Sequence, residues 1–282
     1  LESPADGLLI ADEVGLGKTI EAGIIWTELR AREDMRRLLI VCPAVLREKW
    51  RDELKLRFGI DAFIVDASTL VDELEHSSSM GAPKAWIASY QTLRPPKSWR
   101  PSDTPPPKKA SGRLRLAHLL DEHAEEEPLV DLVVFDEAHY MRNPESSVHR
   151  LGEMLQKVSQ QRVLLSATPI NLHNDDLFHL LQLCDPEHFQ YPSSFQELLL
   201  ANQPLVSARD AALNPSSSAE EILTYVKWAA DTDLLRNSRQ LAALLEVPPT
   251  DEDLARPAFR AELAASLERI NLLGHVITRT RK

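Results

Sequence analysis

The chain has 282 residues, more than one compact domain usually holds, so a main domain with a smaller appendage is the expected organisation. An apolar fraction of 43% and a charged fraction of 27% are ordinary for a soluble globular protein, and no apolar run reaches bilayer-spanning length. A formal charge of −11 excludes a surface that wraps nucleic acid on every side, so any basic contact must be local.

Leu1 to Pro4 lack an initiator Met and the layout of a signal peptide, and read as the start of an excised fragment. From there to residue 170, short apolar runs alternate with amphipathic stretches, the pattern of a doubly wound α/β domain with a parallel sheet flanked by helices. The expected strands are Leu8 to Ala11, Leu38 to Cys42, Ala62 to Val65, Ala85 to Ala88, Leu132 to Phe135 and Val163 to Ser166. Helical spacing joins Ile20, Ile24 and Leu29 within 19–32, and Leu46, Trp50, Leu54 and Phe58 within 45–58. Residues 94–128 break this rhythm with Pro95, Pro96, Pro101 and Pro105 to Pro107, which disfavours both helix and strand and predicts a surface insertion. Its first part, 94–115, holds seven basic residues against the single acid Asp103, while Asp121 to Glu127 supply five acids. That basic stretch, with Trp99 inside it, is either a local nucleic-acid contact or a solvated loop balanced by the acids behind it. Beyond Ile170 helical patterns take over, predicting a helical appendage. Cys42 and Cys184, the only cysteines, each lie in an apolar stretch and predict two buried free thiols in the cytoplasm, neither a disulfide nor a metal site.

Chemistry concentrates at two strand ends. Asp12, Glu13, Val14, Gly15, Leu16, Gly17, Lys18 and Thr19 follow the first strand and open a helix, the setting a phosphate-binding loop requires. Glycines let main-chain N–H groups approach phosphate oxygens, and the helix N-terminus adds the positive end of its dipole. Lys18 suits the β and γ phosphates of ATP, and the Thr19 hydroxyl suits Mg²⁺. Asp12 stands where the general pattern has glycine, and a small-molecule kinase would share such a loop. The second end is Asp136-Glu137-Ala138-His139, after the strand at 132–135. Beside a phosphate loop, Asp136 can hold the Mg²⁺ shell and Glu137 can orient or deprotonate the attacking water. Ser166 and Thr168 close the next strand, where hydroxyls can hydrogen-bond the acidic box.

Together these segments resemble the SWI/SNF family of helicase-like ATPases within the DEAD/DEAH helicase superfamily. Four stretches carry the likeness: Ala11 to Gly23, Val41 to Trp50, Phe135 to Asn143 and Leu164 to Ile170. The family tolerates Asp at position 12, and the Glu21-Ala22-Gly23 continuation with the full Asp-Glu-Ala-His box looks most like its bacterial RNA-polymerase-associated branch. The resemblance implies an N-terminal RecA-like lobe over 1–170 that binds ATP and Mg²⁺ through Lys18, Thr19, Asp136 and Glu137. It implies that Pro43, Arg47, Ser89 and Tyr90 face a nucleic-acid backbone, with double-stranded DNA the expected partner, and that His139, Ser166 and Thr168 couple the two sites. It also implies a helical protrusion over 171–275 and a return strand over 276–282 that leads to a second RecA-like lobe beyond this chain, which would supply arginines to the γ-phosphate, so that this fragment binds ATP weakly and hydrolyses it poorly. A protein complex, such as RNA polymerase or the subunits of a restriction or phage-defence system, is the expected further partner. A non-hydrolysing nucleotide-binding scaffold remains the reading of another class.

Overall fold

The six apolar runs become six strands in a computed structural model that describes residues 6–11, 17–76, 81–101, 104, 106–107, 109–124, 126–166 and 174–278. They are β1 (Gly7–Ile10), β2 (Arg37–Cys42), β3 (Ala62–Ile64), β4 (Lys84–Ser89), β5 (Val130–Asp136) and β6 (Ser159–Leu165), and a seventh, β7 (Ile277–Thr278), joins them. All pair in parallel, in the order β3-β4-β2-β5-β6-β1-β7. Parallel strands are covered on both faces, which is why β2 and β5 read as continuous apolar runs rather than alternating ones. The register sets Val41 opposite Phe135, Asp136 opposite Leu165 and Ile10 opposite Leu165, so these strand ends share one edge of the sheet.

Seven helices belong to this unit among the described residues: α1 (Lys18–Glu33), α2 (Arg47–Phe58), α3 (Ala67–His76), α4 (Tyr90–Leu93), α5 (Gly112–Glu122), α6 (Ser147–Lys157) and α7 (Asn174–Cys184). Helix α1 buries Ala22, Trp26 and Leu29, whereas Ile24, expected on its apolar face, stands 56% exposed. The indole decides the facing, because it removes more apolar surface from water than an isoleucine does. Gly23 makes close α1–α2 packing feasible: a Cβ there would lie 2.2 Å from the Phe58 ring. Helix α5 departs from the proline-based reading of 94–128. Ser111 caps it by accepting the Leu114 N–H, and it buries Leu116, Ala117, Leu119 and Leu120. The proline run ends at Pro107, so it does not interrupt the helix that follows.

The second unit, Phe189–His275, is helical: α8 (Pro192–Leu213), α9 (Ala219–Ala230), α10 (Arg239–Glu246), α11 (Asp251–Leu254) and α12 (Pro257–Ile270). Leu205, Ala208, Ile222, Val226, Leu241, Leu263 and Leu267 form its core. Buried Asn202 ties α8 to the end of α12, donating to Asn271 Oδ1 at 2.8 Å and accepting from the Leu272 N–H at 3.0 Å. Among the described residues no helix is long and apolar enough to cross a membrane.

Candidate functional site

Strand β5 is buried along its whole length and delivers Asp136 to the carboxyl edge of the sheet, 8% exposed. A charged carboxylate at that depth needs partners, and two donors supply them while a third holds the main chain. Asp136 Oδ2 accepts the indole N–H of Trp50 at 2.8 Å, Oδ1 accepts the Glu137 main-chain N–H at 2.9 Å, and the Asp136 carbonyl accepts the Tyr90 hydroxyl at 2.8 Å. Burial pushes the Asp136 carboxyl above its ordinary value, the Trp50 hydrogen bond opposes that rise, and the neighbouring Glu137 charge adds to it. Burial likewise holds the Tyr90 hydroxyl protonated, well above the usual range, so it serves as the donor.

The chain then turns sharply. Glu137 adopts φ 53° and ψ 49°, a left-handed conformation that costs a non-glycine residue about 1–2 kcal/mol, and a 3₁₀ turn (Ala138–Met141) follows. That turn brings His139 Nδ1 to 3.2 Å from Glu137 Oε2. The proximity of His139, aided by the charge of Lys18 and opposed by burial, holds the Glu137 carboxyl below its ordinary value. Lys18 also favours the ionised form of Asp136, so both acids feel this ammonium at the start of α1. The His139 ring stacks on Tyr140 at 4.8 Å, and Tyr140 stacks on Tyr90 at 5.8 Å.

Gly17, at φ 92°, precedes α1 and has no side chain with which to cap it, which leaves the first-turn amides of Lys18 and Thr19 suited to an anion. Asp12 to Leu16 and Thr168 lie outside the described residues. Ser166 is fully buried at the end of β6, its N–H donating to the Ile10 carbonyl at 3.0 Å. These groups suit a magnesium nucleotide: carboxylate oxygens are the hard donors Mg²⁺ takes, and a lysine beside helix amides suits polyphosphate.

The residues expected to face nucleic acid divide. Pro43 and Arg47 flank a 3₁₀ turn (Ala44–Leu46) after β2, with Val45 86% exposed and Arg47 Nε donating to the Ala44 carbonyl at 3.1 Å. Ser89 and Tyr90, by contrast, are each 1% exposed. Ser89 forms a reciprocal cap with Thr92, and the Tyr90 hydroxyl turns inward to the Asp136 carbonyl, so both side chains are engaged within the fold. In the basic stretch Trp99 is buried, its carbonyl accepting from Arg100 and Arg150, and Arg115 pairs with Asp72 at 2.8 Å and Glu75 at 3.6 Å. Trp50 and Tyr140 enter the site unannounced by sequence, since helical spacing shows Trp50 only as an apolar residue.

A model of the SNF2-related domain matches residues 1–246. RNA polymerase-associated protein RapA of Stutzerimonas stutzeri (strain A1501) is 29% identical over 260 residues, covering 86% of this chain and 25% of that protein. The chain thus spans about a quarter of the length of this curated relative. Among solved structures, the Sulfolobus solfataricus SWI2/SNF2 ATPase core in complex with dsDNA is similar with a TM-score of 0.48 and 15% identity, over 94% of this chain and 53% of that one. The core domain of the same ATPase without DNA gives 0.44 and 16%, over 93% and 59%.

Proposed function

The chain belongs to the SNF2-related family of helicase-like ATPases, and on that premise we propose that it binds ATP with Mg²⁺ and hydrolyses it in a motor that moves on double-stranded DNA. One observation carries the catalytic part: the fold brings Lys18, at the start of α1, close enough to the adjacent acids Asp136 and Glu137 at the end of β5 for its charge to favour the ionised form of both. In this reading Asp12 to Thr19 cradle the phosphates, with Lys18 on the β and γ groups. Asp136 and the Thr19 hydroxyl hold Mg²⁺, whose charge offsets the negative charge developing on the phosphate oxygens. Glu137, kept ionised by His139, accepts a hydrogen bond from the attacking water and orients it.

We assign Pro43 and Arg47 to the nucleic-acid backbone, and His139, Ser166 and Thr168 to coupling between that surface and the nucleotide. The dsDNA bound by the archaeal core and the polymerase association in the name of the RapA relative are what support DNA as the track and RNA polymerase as the remodelled complex. A cytoplasmic setting accords with two free buried thiols.

The test is nucleotide hydrolysis by the intact protein with and without duplex DNA. Glu137→Gln should keep nucleotide binding and lose at least about 100-fold in turnover, and Lys18→Ala should lose binding. Unchanged turnover in Glu137→Gln overturns the water assignment. A rate indifferent to duplex DNA overturns the motor.

A further inference from the structure

We propose that Trp50 and Tyr90 are positioning residues that fix Asp136 for the metal, one holding its carboxylate and the other its main chain. The proposal rests on the reading of Asp136 as the Mg²⁺-holding acid. Trp50 is 2% exposed on α2, and Tyr90 is 1% exposed on α4. A buried indole or phenol must place its N–H or O–H somewhere, and each core offers many acceptors. Here two side chains from different elements converge on the same residue, each at 2.8 Å.

The bonds divide the task. Trp50 holds Oδ2 and the Glu137 amide holds Oδ1, so each carboxylate oxygen has one protein donor and the plane of the group is set. The Tyr90 hydroxyl acts one link back. Pairing of β5 with β2 stops at Val41 and Phe135, and the next carbonyl, that of Asp136, is taken by Tyr90 instead. Without that anchor the strand end is held only on its β6 side, where Asp136 pairs with Leu165, just where Glu137 enters its left-handed turn. Stacking of Tyr140 on Tyr90 closes the outer side. Outer partners of this kind typically govern metal affinity by about 10–100-fold, because they remove the cost of orienting the ligand at the moment of binding.

The experiment is calorimetric titration of ADP into the intact protein, in EDTA and at stepped Mg²⁺ concentrations, for the wild type, Trp50→Phe, Tyr90→Phe and Asp136→Ala. Thermal midpoints check folding, and Tyr90→Phe, which removes one oxygen and keeps the ring, stays interpretable if Trp50→Phe loosens the core. ADP affinity in EDTA should stay within about twofold of wild type. The Mg²⁺ concentration giving half of the affinity gain should rise about tenfold in Trp50→Phe and several-fold in Tyr90→Phe. If both variants follow the wild-type Mg²⁺ response while Asp136→Ala abolishes it, the positioning role is overturned and the metal role of Asp136 stands. If Asp136→Ala keeps the Mg²⁺ response, the metal reading falls and takes the positioning role with it.

Discussion

Replacing Asp131 with alanine removes four hydrogen bonds at the far end of the strand that carries Asp136. Asp131 Oδ2 accepts the main-chain N–H groups of Arg36 and Arg37 at 2.6 and 2.7 Å, and Oδ1 accepts Arg37 Nε and Nη2 at 3.1 and 2.6 Å. The paired side chains are only 15% and 12% exposed, so the small values measured for surface ion pairs do not apply. Deleting one partner of a buried pair costs about 3–5 kcal/mol, because the other charge is left without compensation. We expect a loss in that range for Asp131→Ala. Asp131→Asn, which keeps an acceptor but not the charge, should lose about half as much. Urea unfolding followed by tryptophan fluorescence measures this unit, since Trp26, Trp50, Trp86 and Trp99 are buried within it and only Trp228 lies in the helical one. The midpoint should fall at constant slope. A loss under about 1 kcal/mol, or an asparagine variant as weak as the alanine one, refutes the assignment of this pair as the clamp between β2 and β5.

Gly23→Ala places a methyl against the Phe58 ring and should cost about 1–3 kcal/mol by the same urea assay; a neutral result means that α1 and α2 slide apart freely. Both thiols are buried and pushed up to about 12, so a thiol reagent should count neither in the native protein at neutral pH and both after unfolding. Rapid native labelling contradicts their burial. The close approach of His149, whose Nε2 lies 3.7 Å from Glu153 Oε1, holds the Glu153 carboxyl below its ordinary value. Its contribution is therefore present above the unfolded carboxyl value of about 4.3 and is lost as pH falls through the lower folded value. Glu153→Gln should flatten the stability profile over that acid range, and superimposable profiles refute the linkage.

The sheet is legible because parallel strands are apolar on both faces, so Leu38 to Cys42 and Leu132 to Phe135 stand out as unbroken runs. The acids at a strand end are legible for the opposite reason: Asp136 and Glu137 are costly there without a task. What periodicity cannot show is where a polar atom on a large apolar side chain points. Trp50 scores as one apolar position among Leu46, Leu54 and Phe58, yet its N–H reaches a residue 86 positions away. Tyr90 follows a strand end and reads as surface, but the short helix α4 turns it beneath the acidic box. Helix α5 is obscured by neighbouring prolines, although Leu116, Leu119 and Leu120 carry its spacing.

The two-residue strand β7 acts as a seal. It covers the outer side of β1, with Leu9 N–H donating to Val276 and Ala11 N–H to Thr278, both at 2.8 Å. The chain reaches that edge only after traversing residues 189–275, so the helical unit is spliced in ahead of the strand that closes the sheet. Were the excursion unstructured, joining its ends would cost on the order of 4 kcal/mol in chain entropy, and the folded core of the insert reduces that cost. Melting the helical unit therefore lowers the local concentration of β7 beside Ala11. A protease cut near Gly274 would do the same more drastically, baring β1 as an edge on which the strand of another molecule can dock.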